Sequence, residues 1–276
     1  MGNRSVPSTV ILYLLLAVVV CALMLPIFWM LLLSIRPATT NLAIPPKLLF
    51  KPTLKHFSYC FVNPGVSFRW LINSLIVSCC SSLLAMPFAL FAAYAFSRFN
   101  FRLTKFLMFW YLGLFLGPPI VFLIPYVILM SKIGFVGKYP SMIIVYQTFT
   151  IPFSILVMKS FLDEIPYEIE ESALVDGAGR LTAVFRIVVP LALPGIIVAA
   201  MFSFVFSWNN AAFPLVLSAK FTKPLPVGTL NFFATTGITW NYIGVSSIVT
   251  MLPPMLIFLS LEKYIVRGLT FGAVKG

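Results

Sequence analysis

Six of the seven acidic residues in the chain lie in one short stretch that ends at Asp176. They are Asp163, Glu164, Glu168, Glu170, Glu171 and Asp176. Paired carboxylates can act as general acid and base or can bind a divalent metal. This stretch contains no basic or metal-ligating partner set at a suitable spacing. The cluster instead indicates that something outside an apolar phase needs this segment.

Other catalytic chemistries find little support in the sequence. The lone His56 has no carboxylate within about 100 residues downstream, so a Ser/His/Asp arrangement is disfavoured. Cys21, Cys79 and Cys80 fall inside apolar runs and Cys60 lies in a connecting segment. Without a C-x-x-C spacing, neither a zinc site nor a disulfide framework is supported. The sequence therefore predicts no enzyme and no metal centre.

No energy source for transport is visible in the chain itself. A Gly-x-x-x-x-Gly-Lys-Ser/Thr phosphate loop is missing from the sequence. None of the apolar runs carries a charged residue in its middle, whereas a proton-coupled carrier normally needs one there. Sodium bound by backbone carbonyls stays open as an alternative. If transport is active, the energy must enter from a separate protein.

The acidic stretch predicts two short helices joined at a bend. Pro166 fits the first position of a helix over about Tyr167 to Val175, and glutamates in the first turn suit the positive end of its dipole. Gly177 can end this helix in a left-handed conformation, and Asp176 can cap the following one. Such a bend with an apolar face is a shape that can seat in another protein's groove.

Composition places this segment in a membrane protein. The chain is 61% hydrophobic and 9% charged, far from the values of a soluble domain. This composition predicts an all-α polytopic membrane protein with one transmembrane domain, 1–276. The six spans are expected at about 10–33, 70–97, 106–130, 141–158, 191–217 and 245–261, with the acidic loop at about 159–190. The net charge of +12 is scattered between apolar runs, which suits lipid headgroups and not nucleic acid.

Three apolar runs carry more specific signals. The second is rich in Ser and Ala, which predicts close packing in the interior of the bundle. The third contains Gly117-Pro118-Pro119 and should be kinked or broken. In the fourth and fifth, the polar Gln147, Asn209 and Asn210 either line a path or bond to a neighbouring helix. For the two asparagines, helix packing is the slightly favoured role.

The acidic loop resembles the "EAA" loop of ABC-importer permeases. The matching positions are Glu171-Ser172-Ala173, Asp176-Gly177-Ala178, Phe185, Ile187, Pro190 and Pro194. Ser172 departs from the usual Ala but is small enough to keep the packing. Ser34 to Pro37, Asn73-Ser74-Leu75 and the ending from Gly268 to Gly276 are similar to the sugar-importing branch, so the resemblance covers the whole chain and is to the maltose-type permease.

The resemblance implies a fold, partners and site residues. It implies six transmembrane helices and a cytoplasmic coupling helix that docks on an ATPase through Glu170, Glu171, Ser172, Ala173, Asp176, Gly177 and Ala178. Its expected partners are a second permease subunit, two ATP-binding subunits, an extracytoplasmic sugar-binding protein and membrane lipid. ATP would be bound by the partner subunits, so no cofactor is expected in this chain.

Orientation and two rival functions remain open at this point. With both termini cytoplasmic, ten of the 19 basic residues lie inside and nine outside, so charge counting barely decides. One rival is a membrane-embedded enzyme acting on lipid-linked substrates, and the other is a passive channel or scaffold subunit. Co-purification of a nucleotide-hydrolysing subunit separates the transporter from both.

Overall fold

The computed structural model of the chain describes residues 6–40, 49–62, 66–99, 102–234 and 237–271. The terminal residues 272–276, which belong to the ending that is similar to the sugar-importing branch, lie outside this part. Long helices dominate what is described, and the expected all-α class is confirmed. Their bounds are α1 Val6–Ile35, α2 Lys55–Phe61, α3 Val66–Arg98, α4 Thr104–Leu116, α5 Pro119–Lys132, α6 Tyr139–Asp163, α7 Tyr167–Val175, α8 Arg180–Ala183, α9 Val189–Asn209, α10 Ala212–Leu217, α11 Leu225–Thr229 and α12 Trp240–Phe271.

Shorter elements complete the described chain. Single 3₁₀ turns cover Ala38–Thr40 and Leu230–Phe232, and a π-helical turn over Val184–Val188 joins α8 to α9. Two strands of two residues, β1 Phe233–Ala234 and β2 Gly237–Ile238, pair antiparallel with Phe233 opposite Ile238.

Among the residues that the structure describes, five helical stretches are long and apolar enough to cross a membrane, and a bent pair makes a sixth crossing if it counts as one span. The five are Thr9–Ile35, Ser67–Arg98, Tyr139–Asp163, Arg180–Asn209 and Trp240–Glu262. The bent pair is α4 and α5, which meet at 92°. Gly117 and Pro118 separate the two helices, because Pro119 lacks the N–H that would continue the hydrogen-bond ladder. The predicted break in the third apolar run is therefore confirmed.

The helix bounds differ most from the sequence expectation in three crossings. The fourth crossing ends at Asp163 instead of near residue 158. The fifth crossing begins at Arg180 instead of near residue 191, and it ends at Asn209, after which α10 forms a separate short helix. The last crossing begins at Trp240 instead of near residue 245. Backbone hydrogen bonds extend a helix through polar residues, so hydropathy alone places these ends too far inside the apolar run.

The chain groups into two compact units, of which the smaller comprises residues 1–68 and 229–252. Within it, the side-chain amide of Asn241 donates to the carbonyl oxygens of Leu33 at 2.9 Å and Arg36 at 2.6 Å. A side chain at Gly244 would meet the Met30 carbonyl oxygen at 2.9 Å, so only glycine allows this close approach of α12 to α1. His56 contacts the Arg36 carbonyl oxygen at 3.0 Å, which gives this residue a structural contact.

The larger unit comprises residues 69–228 and 253–276 and has two apolar clusters. In the first, Ala89 and Ala93 of α3 pack with Met158 of α6 and Ala192 of α9. In the second, Val77, Tyr146, Phe149 and Phe213 are among the buried residues. The opposite face of α3, with Leu83 and Phe88, is exposed, so its small residues mark one packed face and not a fully interior helix.

Candidate docking site on the loop between α6 and α9

The α7–α8 segment, residues 167–183, has the predicted first helix and bend, but its second helix is the start of a long one that continues into α9. The first of its helices spans Tyr167–Val175, as expected, and Glu168 and Glu170 lie in its first turn. Pro166, however, is the residue before the helix and not its first residue, so that detail was wrong. Its φ of −56° and ψ of 137° direct the chain into the helix from an extended conformation.

A left-handed glycine ends α7 and reverses the chain. Gly177 has a φ of 86°, a conformation that residues with a Cβ rarely adopt. Its N–H donates to the Leu174 carbonyl at 3.1 Å, and the Ala178 N–H donates to the Ala173 carbonyl at 3.0 Å. These two bonds are the Schellman arrangement, in which the backbone satisfies its own last carbonyls. The glycine of the Asp-Gly-Ala motif thus has a structural reason.

The predicted capping role of Asp176 was wrong. Asp176 follows the last residue of α7, and its exposed side chain caps nothing. The residue before α8 is Gly179, which has no side chain to cap with. The helix α8 continues through the π-helical turn into α9. The buried side chains of Val184 and Val188 in that turn hold α8 in place, so the start of α8 needs no local cap.

Glu170 is buried, unlike the other carboxylates of α7. Its Oε2 accepts from Arg98 Nε at 3.1 Å, and the two side chains are only 3% and 7% exposed. The Tyr94 hydroxyl donates to Glu170 Oε1, and Arg98 also donates to the Ile165 carbonyl at 3.1 Å. Desolvating a carboxylate costs several kcal/mol, which this pairing offsets. Glu170 therefore anchors α7 to the end of α3 and is not part of the exposed face.

Aromatic contacts support the same anchor. The Arg98 guanidinium lies 5.9 Å from the Tyr167 ring centre, and the Arg180 guanidinium lies 5.4 Å from that of Phe99. Tyr94 and Phe99 meet edge to face at 6.2 Å. Cation–π contacts of this kind contribute about 0.5–1 kcal/mol at exposed sites. They tie both α7 and α8 to the end of α3.

The remaining predicted loop residues lie on the surface or close to it. Glu171, Ser172, Asp176 and Gly177 are exposed, whereas Ala173 and Ala178 are half-buried at the bend. Large apolar side chains share this surface: Val175 is 87% exposed, and Leu181, Phe185 and Ile169 are exposed as well. An apolar patch beside carboxylates, on a rigid helical bend, has the composition of a protein-docking surface.

Beside α7 a groove opens between α6 and α9. Its walls are mainly apolar and are formed by Phe161, Ile165, Ile169, Leu191 and Pro194. Glu164 and Pro166 also line the groove. A Cβ at Gly195 would lie 2.5 Å from Cγ of Phe161, so glycine is required for the Phe161 ring to pack on α9. This groove extends the exposed apolar surface of the α7–α8 segment.

The three polar residues of the spans take different positions. Gln147 donates to the Ser81 carbonyl of α3 at 3.2 Å and to the Ile143 carbonyl of its own helix at 2.8 Å. Asn210 accepts the Phe213 N–H at 3.3 Å and so begins α10. Asn209 is exposed. Gln147 thus bonds to a neighbouring helix and Asn210 to the backbone that follows it, and the path-lining or packing role of all three residues stays a prediction.

An aromatic pocket lies one turn from Gln147. Five phenylalanines, Val205 and the hydroxyls of Thr150 and Ser203 line it, and the rings come from α4, α6 and α9. The Ser203 hydroxyl is paired with that of Ser154 at 2.9 Å, so the pocket surface is almost wholly apolar. No sequence pattern predicts this pocket, because its residues are spread over more than 80 positions and form no motif. Its members from those helices are Phe115, Phe149, Phe153, Phe202 and Phe206.

These features define a polytopic α-helical membrane protein whose loop between α6 and α9 is a rigid, anchored helical bend. Residues 85–271 match the family described as binding-protein-dependent transport system inner membrane component. The chain belongs to this family of transport permeases.

Three relatives align with this chain over most of its length. It is 35% identical over 99% of both chains to the inner membrane ABC transporter permease protein YcjP of Escherichia coli. It is 32% identical to the trehalose transport system permease protein SugB of Mycobacterium tuberculosis, over 92% of this chain and 93% of that one. It is 30% identical over 91% of both chains to the trehalose/maltose transport system permease protein MalG of Thermococcus litoralis.

The fold has a counterpart among solved structures. A chain of a bacterial ABC transporter that imports the acidic polysaccharide alginate superposes with a TM-score of 0.77 at 17% identity. The match covers 96% of this chain and 99% of that one. At this identity the match shows the common fold alone.

Proposed function

We propose that this chain is the permease subunit of an ATP-driven carbohydrate importer and that its α7–α8 segment docks on an ATPase subunit. The importer would contain a second permease, two ATP-binding subunits and an extracytoplasmic sugar-binding protein. The relatives named for trehalose and maltose transport support the substrate class. ATP would be bound by the partner subunits, and the whole chain would act as one permease domain.

The observation that carries this proposal is the difference between the two faces of α7. One face is fixed, because Glu170 is buried against Tyr94 and Arg98. The other face presents Glu171 and Val175 to solvent. A loop that served only for solubility would need neither the buried ion pair nor exposed apolar side chains. A segment anchored on one side and apolar on the other is suited to transmit force from a partner.

The exposed face also specifies the partner's groove. Val175 and Leu181 require an apolar floor, and the exposed Glu171 and Asp176 favour basic residues at the rim. When ATP closes the two nucleotide-binding subunits, the grooves move and α7 moves with them. Because Glu170 ties α7 to α3, the movement passes to a membrane-spanning helix. The difference in contact between the open and closed ATPase shifts the permease between its two states.

This assignment places residues 159–190 and both termini on the cytoplasmic side. The cluster of Arg98, Arg102 and Lys105 then also faces the cytoplasm, in agreement with the excess of Lys and Arg in short cytoplasmic loops. The aromatic pocket between α4, α6 and α9 and the exposed Asn209 become the candidates for the path. The pocket lies where α4 is broken, and broken helices commonly line transport paths.

Co-purification and uptake test the proposal together. The tagged permease, expressed with its neighbouring genes, should retain a nucleotide-hydrolysing subunit, and cells should accumulate a radiolabelled di- or oligosaccharide. Gly177→Arg should abolish uptake while the protein still inserts in the membrane. Labelling of a cysteine at Asp176 by an impermeant reagent in intact cells would place the loop outside and contradict the docking role.

Two further results would favour the rivals. Uptake that persists without any ATPase subunit would indicate a passive channel or scaffold. An activity on lipid-linked substrates that depends on a divalent metal would indicate a membrane-embedded enzyme.

A further inference from the structure

Positive charge dominates the end of the larger unit where α6 begins. Arg69, Lys138 and Lys220 are exposed there, and Lys223 is half-buried. Every acidic residue of the chain lies between Asp163 and Asp176 or at Glu262, so residues 66–162 and 177–228 carry none. This end of the unit is therefore a basic surface with no internal carboxylate to neutralise it.

Phe221 lies close to two of these cations, Arg69 and Lys220. Its side chain is 63% exposed, although burial of a phenylalanine side chain is worth about 1.5–3 kcal/mol. The Arg69 guanidinium lies 5.3 Å from its ring centre and the Lys220 ammonium lies 5.9 Å from it. We call Arg69, Lys138, Lys220, Phe221 and Lys223 the Phe221 surface.

A buried asparagine fixes the backbone under this surface. Asn73 of α3 is 1% exposed, and its Nδ2 donates to the carbonyl oxygens of Phe221 at 2.9 Å and Lys223 at 2.8 Å. Its Oδ1 accepts the Tyr139 hydroxyl at 2.7 Å. One carboxamide thus ties the Phe221 backbone to α3 and to the start of α6.

Neighbouring contacts make the segment rigid on both sides of Phe221. The Thr222 hydroxyl donates to the Gly137 carbonyl at 2.9 Å, and the Leu225 N–H donates to the Ser74 hydroxyl at 2.8 Å. A Cβ at Gly228 would lie 2.2 Å from the Trp70 ring, so the chain packs directly on that indole. An exposed aromatic held in one position loses little entropy on binding, which favours it as an anchor at an interface.

We propose that the Phe221 surface is the docking surface for an acidic face of the extracytoplasmic binding protein, with Phe221 entering an apolar pocket on that partner. This inference rests on the proposed function, which supplies the partner and places this end of α3 outside the membrane opposite the α7–α8 segment. Charge complementarity selects the partner face, because a cationic patch attracts carboxylates and raises the association rate. Asn73 is a positioning residue that keeps Phe221 in place.

The test uses the complete complex in nanodiscs of uncharged lipid and measures ATP hydrolysis against binding-protein concentration. Lys220→Glu and Phe221→Ala should each raise the half-maximal concentration of binding protein by about tenfold, or about 1.4 kcal/mol, without changing the maximal rate. Asn73→Ala should raise the same concentration. An increase in ionic strength from about 0.05 to about 0.5 M should weaken the wild-type interaction and have less effect on Lys220→Glu.

Matched controls separate this surface from general effects. Lys105→Glu makes the same charge change at the other end of α3. Asn241→Ala removes another buried carboxamide that donates to two backbone carbonyls. Both should leave the half-maximal concentration unchanged.

The outcomes decide between this inference and the proposed function. A wild-type complex that no binding protein stimulates would contradict the proposed function itself. A stimulated wild-type complex whose Lys220→Glu and Phe221→Ala variants behave normally would overturn only this inference. It would equally be overturned if Lys105→Glu had the same effect, or if the variants lost affinity only in anionic lipid, since the surface would then meet headgroups.

Discussion

Replacement of Glu170 by glutamine should loosen the α7–α8 segment without changing its exposed face. The side chain is nearly isosteric, so Tyr94 keeps an acceptor, but Arg98 loses the carboxylate that lies 3.1 Å from its Nε. Removal of one partner from a buried ion pair typically costs about 3–5 kcal/mol. Because Arg98 retains the Ile165 carbonyl at 3.1 Å, we expect the lower end of that range.

The effect on docking depends on the fraction of molecules in which α7 is anchored to α3. A loss of about 3 kcal/mol lowers the ratio of anchored to detached α7 by about 150-fold. Only anchored α7 presents the docking face in the right position, so the apparent affinity for the ATPase subunit falls in proportion to the anchored fraction. The loss of affinity cannot exceed the change in this ratio, so we expect a measurable loss of at most about 150-fold.

Two measurements check this expectation. Titration of the purified permease with the ATPase subunit gives the affinity, and hydrogen exchange of the backbone amides from 168 to 176 reports detachment of α7 directly. Glu168→Gln is the matched control for hydrogen exchange, because Glu168 is exposed on the same helix and its replacement leaves the buried anchor intact. The double variant Arg98→Met with Glu170→Leu should recover part of the affinity, since an apolar pair leaves no unpaired buried charge. Wild-type affinity and unchanged exchange in Glu170→Gln would refute the anchoring role.

Three other predictions concern the backbone and the buried thiol. Gly177→Ala should cost about 1–2 kcal/mol in α7 stability, because φ is 86° there, and Gly177→Asn should cost less; protease resistance of the loop measures both. Gly195→Val should lower the melting temperature by overpacking against Phe161, at a cost of about 1–3 kcal/mol, whereas the exposed Gly179→Val should not. Burial raises the pKa of the Cys60 thiol to about 11, so alkylation in the folded protein at pH 8 should be slow and should accelerate as the pH approaches 11; a rate equal to that of the unfolded chain would contradict this.

Local rules predicted the α7–α8 segment well. The bounds of α7 and the left-handed Gly177 were correct because both depend on interactions within a few residues. The break between α4 and α5 was predictable for the same reason, since Pro119 removes a backbone donor wherever it stands. The capping role of Asp176 failed because α8 is continuous with a long helix, and tertiary packing then fixes where it begins.

The role of Glu170 could not be separated from that of Glu171 by local reasoning. The two residues are adjacent carboxylates, and the partners of Glu170 lie 72 and 76 positions earlier in the chain. One signal was available. Glu170 lies on the same helical face as Tyr167 and the half-buried Leu174. Glu171 lies on a different face, together with the exposed Glu168 and Val175. Arg98, as the first cation after an apolar run, was the natural partner.

The single helix α3 connects the two proposed docking surfaces. Asn73 and Arg98 are 25 positions apart, which corresponds to about 38 Å along a helix. Between them, Ser82 donates to the Ala200 carbonyl of α9 at 2.8 Å and Ser81 accepts from Gln147 of α6, so α3 is also held in its middle. Sites this far apart normally make additive contributions within about 0.5 kcal/mol. We therefore expect the effect of Glu170→Gln on ATPase-subunit affinity to be the same with and without Asn73→Ala, and a coupling above about 0.5 kcal/mol would show that α3 itself transmits the signal between the two surfaces.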